Sequence, residues 1–459
     1  LYGNLKNQIK TLEGRTQLIR PFFLPKIDFS CTIRFMLDIK FIRENTDIVK
    51  SAIQKKHSKV DIDELISLDE KRLELLHSIE AMRAEQNKVS QDLGNKIEPE
   101  RRSQLIEEMR LVKDDLRVKE GEFEEVMTKW RELMLNVPNI PDVSVPDGDT
   151  DADNKEVKVW GEKPQFNFEP KDHMEIMRDL EMADFERGAK VHGFRGYFLT
   201  GMGARLSFAI WQYALDFFGA RGYNPVIPPV VVRKSAFYGT GYLPGGEEDL
   251  YQTQDSDLLA GTAEVPLMSM HADEILTEKD LPIKYLGFSP CFRREAGAHS
   301  KDVKGLIRVH EFYKFEQLIL CEASHETSVT LHEELNHNTE EFIESLGIPY
   351  HTVLNCGGDL GLGQVKKYDI ELWVPKENTY REIGSASYFH DFQTRRLNIR
   401  YRDAEGTLRY AHSLNATAIP TPRILVSLIE NYQNEDGSIR VPEALVKYLG
   451  TDVISKKQK

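Results

Sequence analysis

The chain has 459 residues, enough for two or three domains with sizeable cores, and its 40% hydrophobic and 29% charged content is that of a globular protein with a charged surface. No apolar run reaches the roughly 18 residues that a membrane-spanning helix needs, and a net charge of -14 excludes indiscriminate phosphate binding while leaving a local basic site open. Cys31, Cys291, Cys321 and Cys356 have no zinc or redox spacing and read as reduced thiols of a cytoplasmic protein.

Residues 1–35 carry six Lys/Arg against the two acids Glu13 and Asp28. Such a leader fits an organelle address or upstream sequence read into protein. The second reading is favoured because Met36 opens a well-patterned segment, so 1–35 is set apart from the fold. After an expected short amphipathic helix over 41–56, two long segments step by three and four residues. The first runs through Leu65, Leu68, Arg72, Leu75, Ile79, Met82, Gln86, Val89 and Leu93. The second runs through Leu105, Met109, Val112, Leu116, Lys119, Phe123, Val126, Trp130, Leu133 and Val137. This repeat predicts an antiparallel pair of supercoiled helices turning at Gly94 to Pro99, an arm of roughly 45 Å. Six acidic against four basic residues from Asp69 to Asp92 leave its partner unspecified, and a plain coiled-coil spacer fits the pattern equally. Pro138, Pro141, Pro146 and the acidic run to Asp153 then predict a linker over 138–165, dividing a 36–137 arm domain from a 166–459 body.

In the body, a helix is expected from His173, a strand over 194–199, a helix over 204–219, and a Pro-containing edge strand over 223–229. Thr262, ahead of Glu264, reads as an N-cap. The stretch from Phe288 to Glu316 predicts an antiparallel hairpin around a loop of roughly ten residues. Arg293 and Glu295 share one strand parity, and Arg308, His310, Phe312, Lys314 and Glu316 share another face, with Val309, Tyr313 and Phe315 opposite. Arginines, carboxylates and one ring suit an anionic, planar ligand such as a nucleotide; a solvated hairpin face is the alternative. Further on, Glu382 and Ser385 on a return strand offer oxygen ligands for Mg²⁺, or are surface polar residues. Thr421 reads as an N-cap with Pro422 as first helical residue, which sets Arg423 in a first turn where the macrodipole disfavours a cation unless an anion lies nearby.

The hairpin, the Glu382 strand and the Arg423 helix, in that order, resemble the class II aminoacyl-tRNA synthetases, and most nearly the seryl-tRNA synthetases, over about Met36 to Val453. The helix and strand at 203–229 resemble the first class motif, a dimer interface; the hairpin resembles the second and 414–433 the third. Met-Leu-Asp-Ile-Lys from Met36 also resembles that family's start. The resemblance implies an α+β fold, an antiparallel sheet flanked by helices with an N-terminal two-helix arm, in a homodimer. It implies L-serine, ATP with Mg²⁺, and serine tRNA held by the arm, with selenocysteine tRNA as a further acceptor. Serine carboxylate would attack the α-phosphorus of ATP, and the tRNA's terminal ribose hydroxyl would then attack the adenylate.

The catalytic residues implied are Arg293, for the serine carboxylate and α-phosphate, and Arg423, for the γ-phosphate. Glu295, Arg308 and Phe312 would complete the ATP site, with Arg294, Val309, Ile383 and Gly384 beside them and Glu382 and Ser385 on Mg²⁺ or ATP. Thr262, Ala263 and Glu264 would surround the serine ammonium, and Glu316 and Thr417 its hydroxyl. Many members have Gly-Ser-Gly where this chain has Ala416-Thr417-Ala418. Many have Ser-Ser-Cys-Ser-Asn-Cys where it has Gly384-Ser385-Ala386-Ser387-Tyr388-Phe389. Two rival functions are amino-acid activation for a carrier protein and a non-catalytic coiled-coil binding protein.

Overall fold

A computed structural model of the chain describes residues 37–93, 98–297 and 304–456. The expected leader, Cys31, Met36 and the turn at 94–97 lie outside the described residues. The single helix expected over 41–56 is two, α1 (Ile39–Glu44) and α2 (Thr46–Lys55), because Asn45 leaves helical geometry between them.

The predicted pair is present as α3 (Ile62–Leu93) and α4 (Pro99–Asn136), with Pro99 opening α4 where a missing N–H costs nothing. The heptad stripe is buried at the base, at Leu65, Leu75 and Ile79 of α3 and Trp130 of α4, and again further out at Leu105 and Leu116, whereas Ile106, Leu111 and Val118, off the stripe, stay exposed. Asp69, off the apolar stripe, is buried because Arg72 closes on it at 2.8 Å and Arg43 at 3.3 Å; the Arg72 guanidinium also lies 5.1 Å above the Trp130 ring. A buried carboxylate so paired replaces an apolar layer.

Beyond the arm come β1 (Lys155–Trp160), α5 (His173–Asp179), α6 (Gly201–Gly219), β2 (Asn224–Val226), α7 (Glu264–Ser269), β3 (Ile283–Phe292), β4 (Glu311–Cys321), α8 (His325–Ser345), β5 (Tyr350–Leu354), β6 (Lys366–Val374), β7 (Thr379–His390), α9 (Phe392–Leu397), β8 (His412–Thr421) and α10 (Arg423–Asn431). Eight of these strands form one sheet in the order β1-β5-β6-β7-β8-β4-β3-β2. All pairings are antiparallel except β2 on β3 at the edge. The proline strand is an edge, as Pro225 requires. Strand β1 falls inside the stretch expected to be a linker: its pairing to β5 gives Lys155–Trp160 the partners that its lack of periodicity hid. Of the strand expected over 194–199 only Phe198–Leu199 forms, since Gly193 and Arg195 take positive φ and turn the chain.

One sheet face packs on α6, α8 and α10 through an apolar core that includes Ile210, Phe218, Phe315, Leu335, Phe342, Tyr388 and Leu425. The other face carries a second apolar cluster, where Leu318 and Leu320 of β4 pack with Leu267, Met268 and Ile399, and beside it opens into a polar concavity. Its wall is closed by loop 361–364, whose backbone is held from the arm's side of the molecule. The Lys56 ammonium donates to Leu362 O at 3.0 Å, Gly361 O at 3.2 Å and Gln364 O, and Asn139 Nδ2 donates to Gly363 O at 3.0 Å and Phe389 O at 2.8 Å.

Asn139 is buried, so its two donated bonds have no water to replace them. Asn139→Ala is expected to lower the unfolding free energy by about 1–3 kcal/mol. Asn139→Asp is expected to cost more, because a carboxylate cannot donate and would face two carbonyls. Urea unfolding of the three proteins checks the order.

Candidate active site

The concave face surrounds a chamber of about 510 Å³. Its floor is set by strand parity. Phe312, Lys314 and Glu316 of β4 point into it, while Tyr313 and Phe315 turn to the other side, where Tyr313 meets Trp211 at 5.2 Å and Phe315 meets Phe288 at 4.6 Å. The connection between β3 and β4 is longer than the ten residues expected, running from Arg293 to His310, because Arg293, Glu295, Arg308 and His310 lie beyond the strand ends. Those side chains are placed by individual partners instead of strand parity.

Two β-bulges aim the neighbouring strands. In β7, Ile383 is an extra residue, for Gly384 faces Ile370 and Glu382 faces Glu371 of β6. Residues three apart on a regular strand point to opposite faces; one inserted residue brings Glu382 and Ser385 onto the same face, and both line the chamber. In β8, Ala418 is the extra residue, and Thr417 stands opposite Glu316. Gly384 is required beside it, since a Cβ there would come within 2.5 Å of the Thr417 Cβ. Gly287, opposite Glu316 on β3, lets α7 close on the sheet, where a Cβ would come within 2.5 Å of Leu267.

At one end of the chamber, charge is buried. Lys314 and Glu316 form a short ion pair, Lys314 Nζ donates to Thr262 Oγ1 at 2.8 Å, and Thr262 in turn donates to Glu316 at 3.3 Å. Glu264 stands beside them, accepting from Tyr242 Oη at 2.8 Å and from Gln393 Nε2 at 2.6 Å. Burial, and then the Glu316 carboxylate, raise its pKa to about 7 against these hydrogen bonds and Lys314. Two carboxylates against one lysine favour a cationic ligand group there.

At the other end the guanidinium groups gather. Arg293 lies 5.2 Å over the Phe312 ring and donates to Gly261 O at 3.4 Å. Arg423 donates to Ile307 O at 3.1 Å and Glu382 O at 2.7 Å, and Arg308 donates to Glu295 at 2.6 Å. Desolvation lowers the Arg423 pKa; Glu382 opposes this, while Arg293 and Arg308 add to it, as mutually close cations do. Such a group of arginines favours a polyanion.

The chamber thus brings together Thr262, Glu264, Arg293, Glu295, Val309, Phe312, Glu316, Glu382, Ile383, Gly384, Ser385, Thr417 and Arg423. Three expected residues are not in its lining. Arg294, next along from Arg293, turns outward, its Nη1 on Glu248 O at 3.0 Å and its N–H on Asp249 O at 2.9 Å. Ala263 is buried as the N-cap of α7 against Gly287, and Arg308 reaches the site through its ion pair with Glu295. Of the two expected threonine caps, that of Thr262 forms as a long bond, its Oγ1 accepting from the Glu264 N–H at 3.4 Å while it also bonds Lys314 and Glu316. Thr421 does not cap: it belongs to β8, where its hydroxyl accepts from Trp211 Nε1 at 2.8 Å, and Pro422 takes the cap position of α10. Lys314, Tyr242, Gln393 and Asn415 complete the site beyond the expected residues. Lys314 and Asn415 have a sequence signal, their parity with Glu316 and Thr417; Tyr242 and Gln393 come from elements far apart in sequence. No cluster of three or more metal-ligating side chains occurs among the described residues, and no helix among them is long and apolar enough to cross a membrane.

Two family models match the chain. Residues 36–141 match the seryl-tRNA synthetase N-terminal domain, and residues 250–432 match the tRNA synthetase class II core domain (G, H, P, S and T). The serine–tRNA ligase of Deinococcus radiodurans is 46% identical over 416 residues, 90% of this chain and 98% of the relative. Among solved structures, the Pyrococcus horikoshii seryl-tRNA synthetase complexed with ATP superposes with a TM-score of 0.84 at 39% identity, covering 92% of this chain and all of that one. The cytoplasmic serine-tRNA ligase of Naegleria fowleri in complex with AMP gives a TM-score of 0.80 at 30% identity, covering 93% of this chain and all of that one.

The raised pKa of Glu264 has a measurable sign. Its folded value of about 7 exceeds the ordinary 4.5, so its contribution to stability is fully present below about pH 4.5 and is lost as pH rises through 7. Glu264→Gln is therefore expected to match the parent near pH 4 and to exceed its stability by about 3 kcal/mol above pH 7. Urea unfolding at both pH values tests this, and equal differences at the two would rule it out.

Proposed function

The chain belongs to the seryl-tRNA synthetase family, and we propose that its chamber is the site where L-serine is activated by ATP before transfer to tRNA. The reaction is ATP-dependent ligation of serine to its tRNA through a seryl-adenylate. The observation that carries the assignment of residues is the division of the chamber into an acidic end and an arginine end. The Glu264, Glu316 and Lys314 set has one net negative charge when ionised, which complements the serine ammonium, and Thr262 lies within the same network. Thr417, paired across the strands with Glu316, offers a hydroxyl to that of serine.

At the other end Arg293 spans the serine carboxylate and the α-phosphate, Phe312 stacks on adenine, Arg308 is steered by Glu295, and Arg423 meets the γ-phosphate. The carboxylate of serine attacks phosphorus without a covalent enzyme intermediate, so positioning and charge stabilisation carry the step. Glu382 and Ser385, turned to one face by the Ile383 bulge, are hard oxygen donors that fit Mg²⁺, which keeps water and phosphate oxygens as its other ligands. Bound there, the ion would neutralise charge on the phosphates. The 36–137 arm holds serine tRNA, and the body dimerises through α6 and the edge strand after it, a region that exposes Phe208 and Ile227. The free, buried thiols of Cys291, Cys321 and Cys356 support a cytoplasmic setting.

Two experiments test this reading. Thr417→Ala is expected to raise the serine KM in ATP–pyrophosphate exchange by about 10-fold or more while the ATP KM changes little, because a site built for a hydroxyl is left unpaired. Equal losses for both substrates would sink the assignment. Replacing residues 80–122 by a short turn removes the distal arm and keeps Trp130 and Met134 at its base. Exchange should persist and charging of serine tRNA should fall by at least about 10²-fold, the scale expected when several phosphate-binding Lys and Arg side chains are removed; charging that ignores the deletion would undermine the arm's role. Selenocysteine tRNA is the second acceptor to run in the same assay.

A further inference from the structure

Gln393 lies in the first turn of α9, 1% exposed, on an element that no chamber-lining residue occupies. Its amide is fully committed. Nε2 donates to Glu264 Oε1 at 2.6 Å and to Thr240 O at 3.2 Å, and Oε1 faces the Ser413 hydroxyl at 2.8 Å. A hydroxyl can donate or accept, so Ser413 alone would leave the amide free to flip; a backbone carbonyl only accepts. Thr240 O therefore fixes the NH₂ end toward Glu264. The second Glu264 oxygen accepts from Tyr242 Oη at 2.8 Å, so two neutral donors hold this carboxylate. The neighbouring cation, Lys314, is committed to Glu316 and Thr262.

We propose that Gln393 is a positioning residue for serine activation: it aims the Glu264 carboxylate at the amino group of serine and stabilises that carboxylate's charged form. The inference rests on the reading of Glu264 as the ammonium's partner and assigns the residue that makes that reading work at neutral pH. Every group facing Glu264 enters the balance. Burial and Glu316 push toward protonation, while Gln393, Tyr242 and Lys314 oppose it. A protonated Glu264 would offer the ammonium no charge. Gln393 is well suited to resist this, because it donates to the carboxylate without being a cation that would compete with the substrate or be displaced by it. It touches no substrate itself.

The test is serine-dependent ATP–pyrophosphate exchange with the full chain between about pH 6 and 8.5, the window around the Glu264 transition. Gln393→Met keeps the side chain's length and removes its donor. Its serine KM is expected to rise about 10–100-fold at pH 7, the loss of one hydrogen bond to a charged group, with the ATP KM within about 2-fold and the rise of kcat/KM for serine moved to higher pH. Gln393→Glu gives a sharper signature. Two facing carboxylates share one proton, so the pair keeps one negative charge at the acid end and the variant retains serine binding there, flattening the slope of the parent. A serine KM and pH profile unchanged in Gln393→Met, or serine and ATP KM values rising together in both variants, would overturn the proposal. Glu264→Gln keeps the two failures apart. If it raises the serine KM while both Gln393 variants behave as the parent, Gln393 is wrong and Glu264 stands. If Glu264→Gln leaves the serine KM unchanged, the reading of Glu264 falls and the proposal with it.

Discussion

The chamber depends on one constraint, the burial of charge on one face of an antiparallel sheet. Glu264, Lys314 and Glu316 are each at most 5% exposed, and an isolated ion so placed would neutralise. They remain useful because each is bonded: Lys314 to Glu316 and Thr262, Glu264 to Tyr242 and Gln393. This network draws its members from β4, β8, the start of α7, the segment after Thr240 and α9. The main apolar core already joins β4 and β8, and the polar network lies against Thr262, Glu264, Tyr242 and Gln393, which that core does not include.

Geometry on that face is set by irregularities in the strands. The Ile383 and Ala418 bulges each add one residue to an otherwise regular ladder, and each restores a side chain to the chamber that simple alternation would send into the core. Gly384 and Gly287 then admit Thr417 and α7 at distances no side chain would allow. The Ile383 and Ala418 bulges and the Gly384 and Gly287 positions lie next to Glu382, Ser385, Glu316 and Thr417 of the chamber.

These irregularities explain which parts are legible in the sequence. Period-two alternation puts Phe312, Lys314 and Glu316 on one face, and the three-four spacing of Leu65 to Leu93 gives α3, because both are local patterns imposed by burial. A bulge has no such signature: Glu382 and Ser385 are three apart, and only the family resemblance chooses between a metal site and a polar surface for them. Arg294, adjacent to Arg293, is grouped with it by sequence, yet past the end of β3 each side chain follows its own partner, here Glu248 O, with the Arg294 backbone N–H on Asp249 O. The threonine caps follow a related rule. Thr421 carries a strong local signal for capping, yet Trp211, distant in sequence, takes its hydroxyl, whereas Thr262 accepts from the Glu264 N–H as its signal implies and shares that hydroxyl with Lys314. Strand β1 and Gln393 are invisible because their roles exist only in pairs made by the fold.

The arm and the chamber are also less separate than a domain division suggests. Trp130, Met134 and Val137, at the end of α4, share an apolar cluster with Phe389 and Phe392, which flank the end of β7 and the start of α9. Arg396 of α9 donates to Leu135 O at 3.0 Å, and burial lowers its pKa to about 9. Lys56 and Asn139 hold the backbone of loop 361–364, and Gly361, Leu362, Gly363 and Gln364 line the chamber. Gln364 reaches onward to Ser387 of β7 at 2.9 Å. Buried donors that satisfy backbone carbonyls cannot be withdrawn without leaving those carbonyls unpaired. One wall of the chamber therefore has its shape only while the base of the arm is docked, whereas the distal arm, where Ile106, Leu111 and Val118 face outward, contributes nothing to that wall. The base of α3 and α4, around Trp130, thus packs with the body, while their distal halves do not.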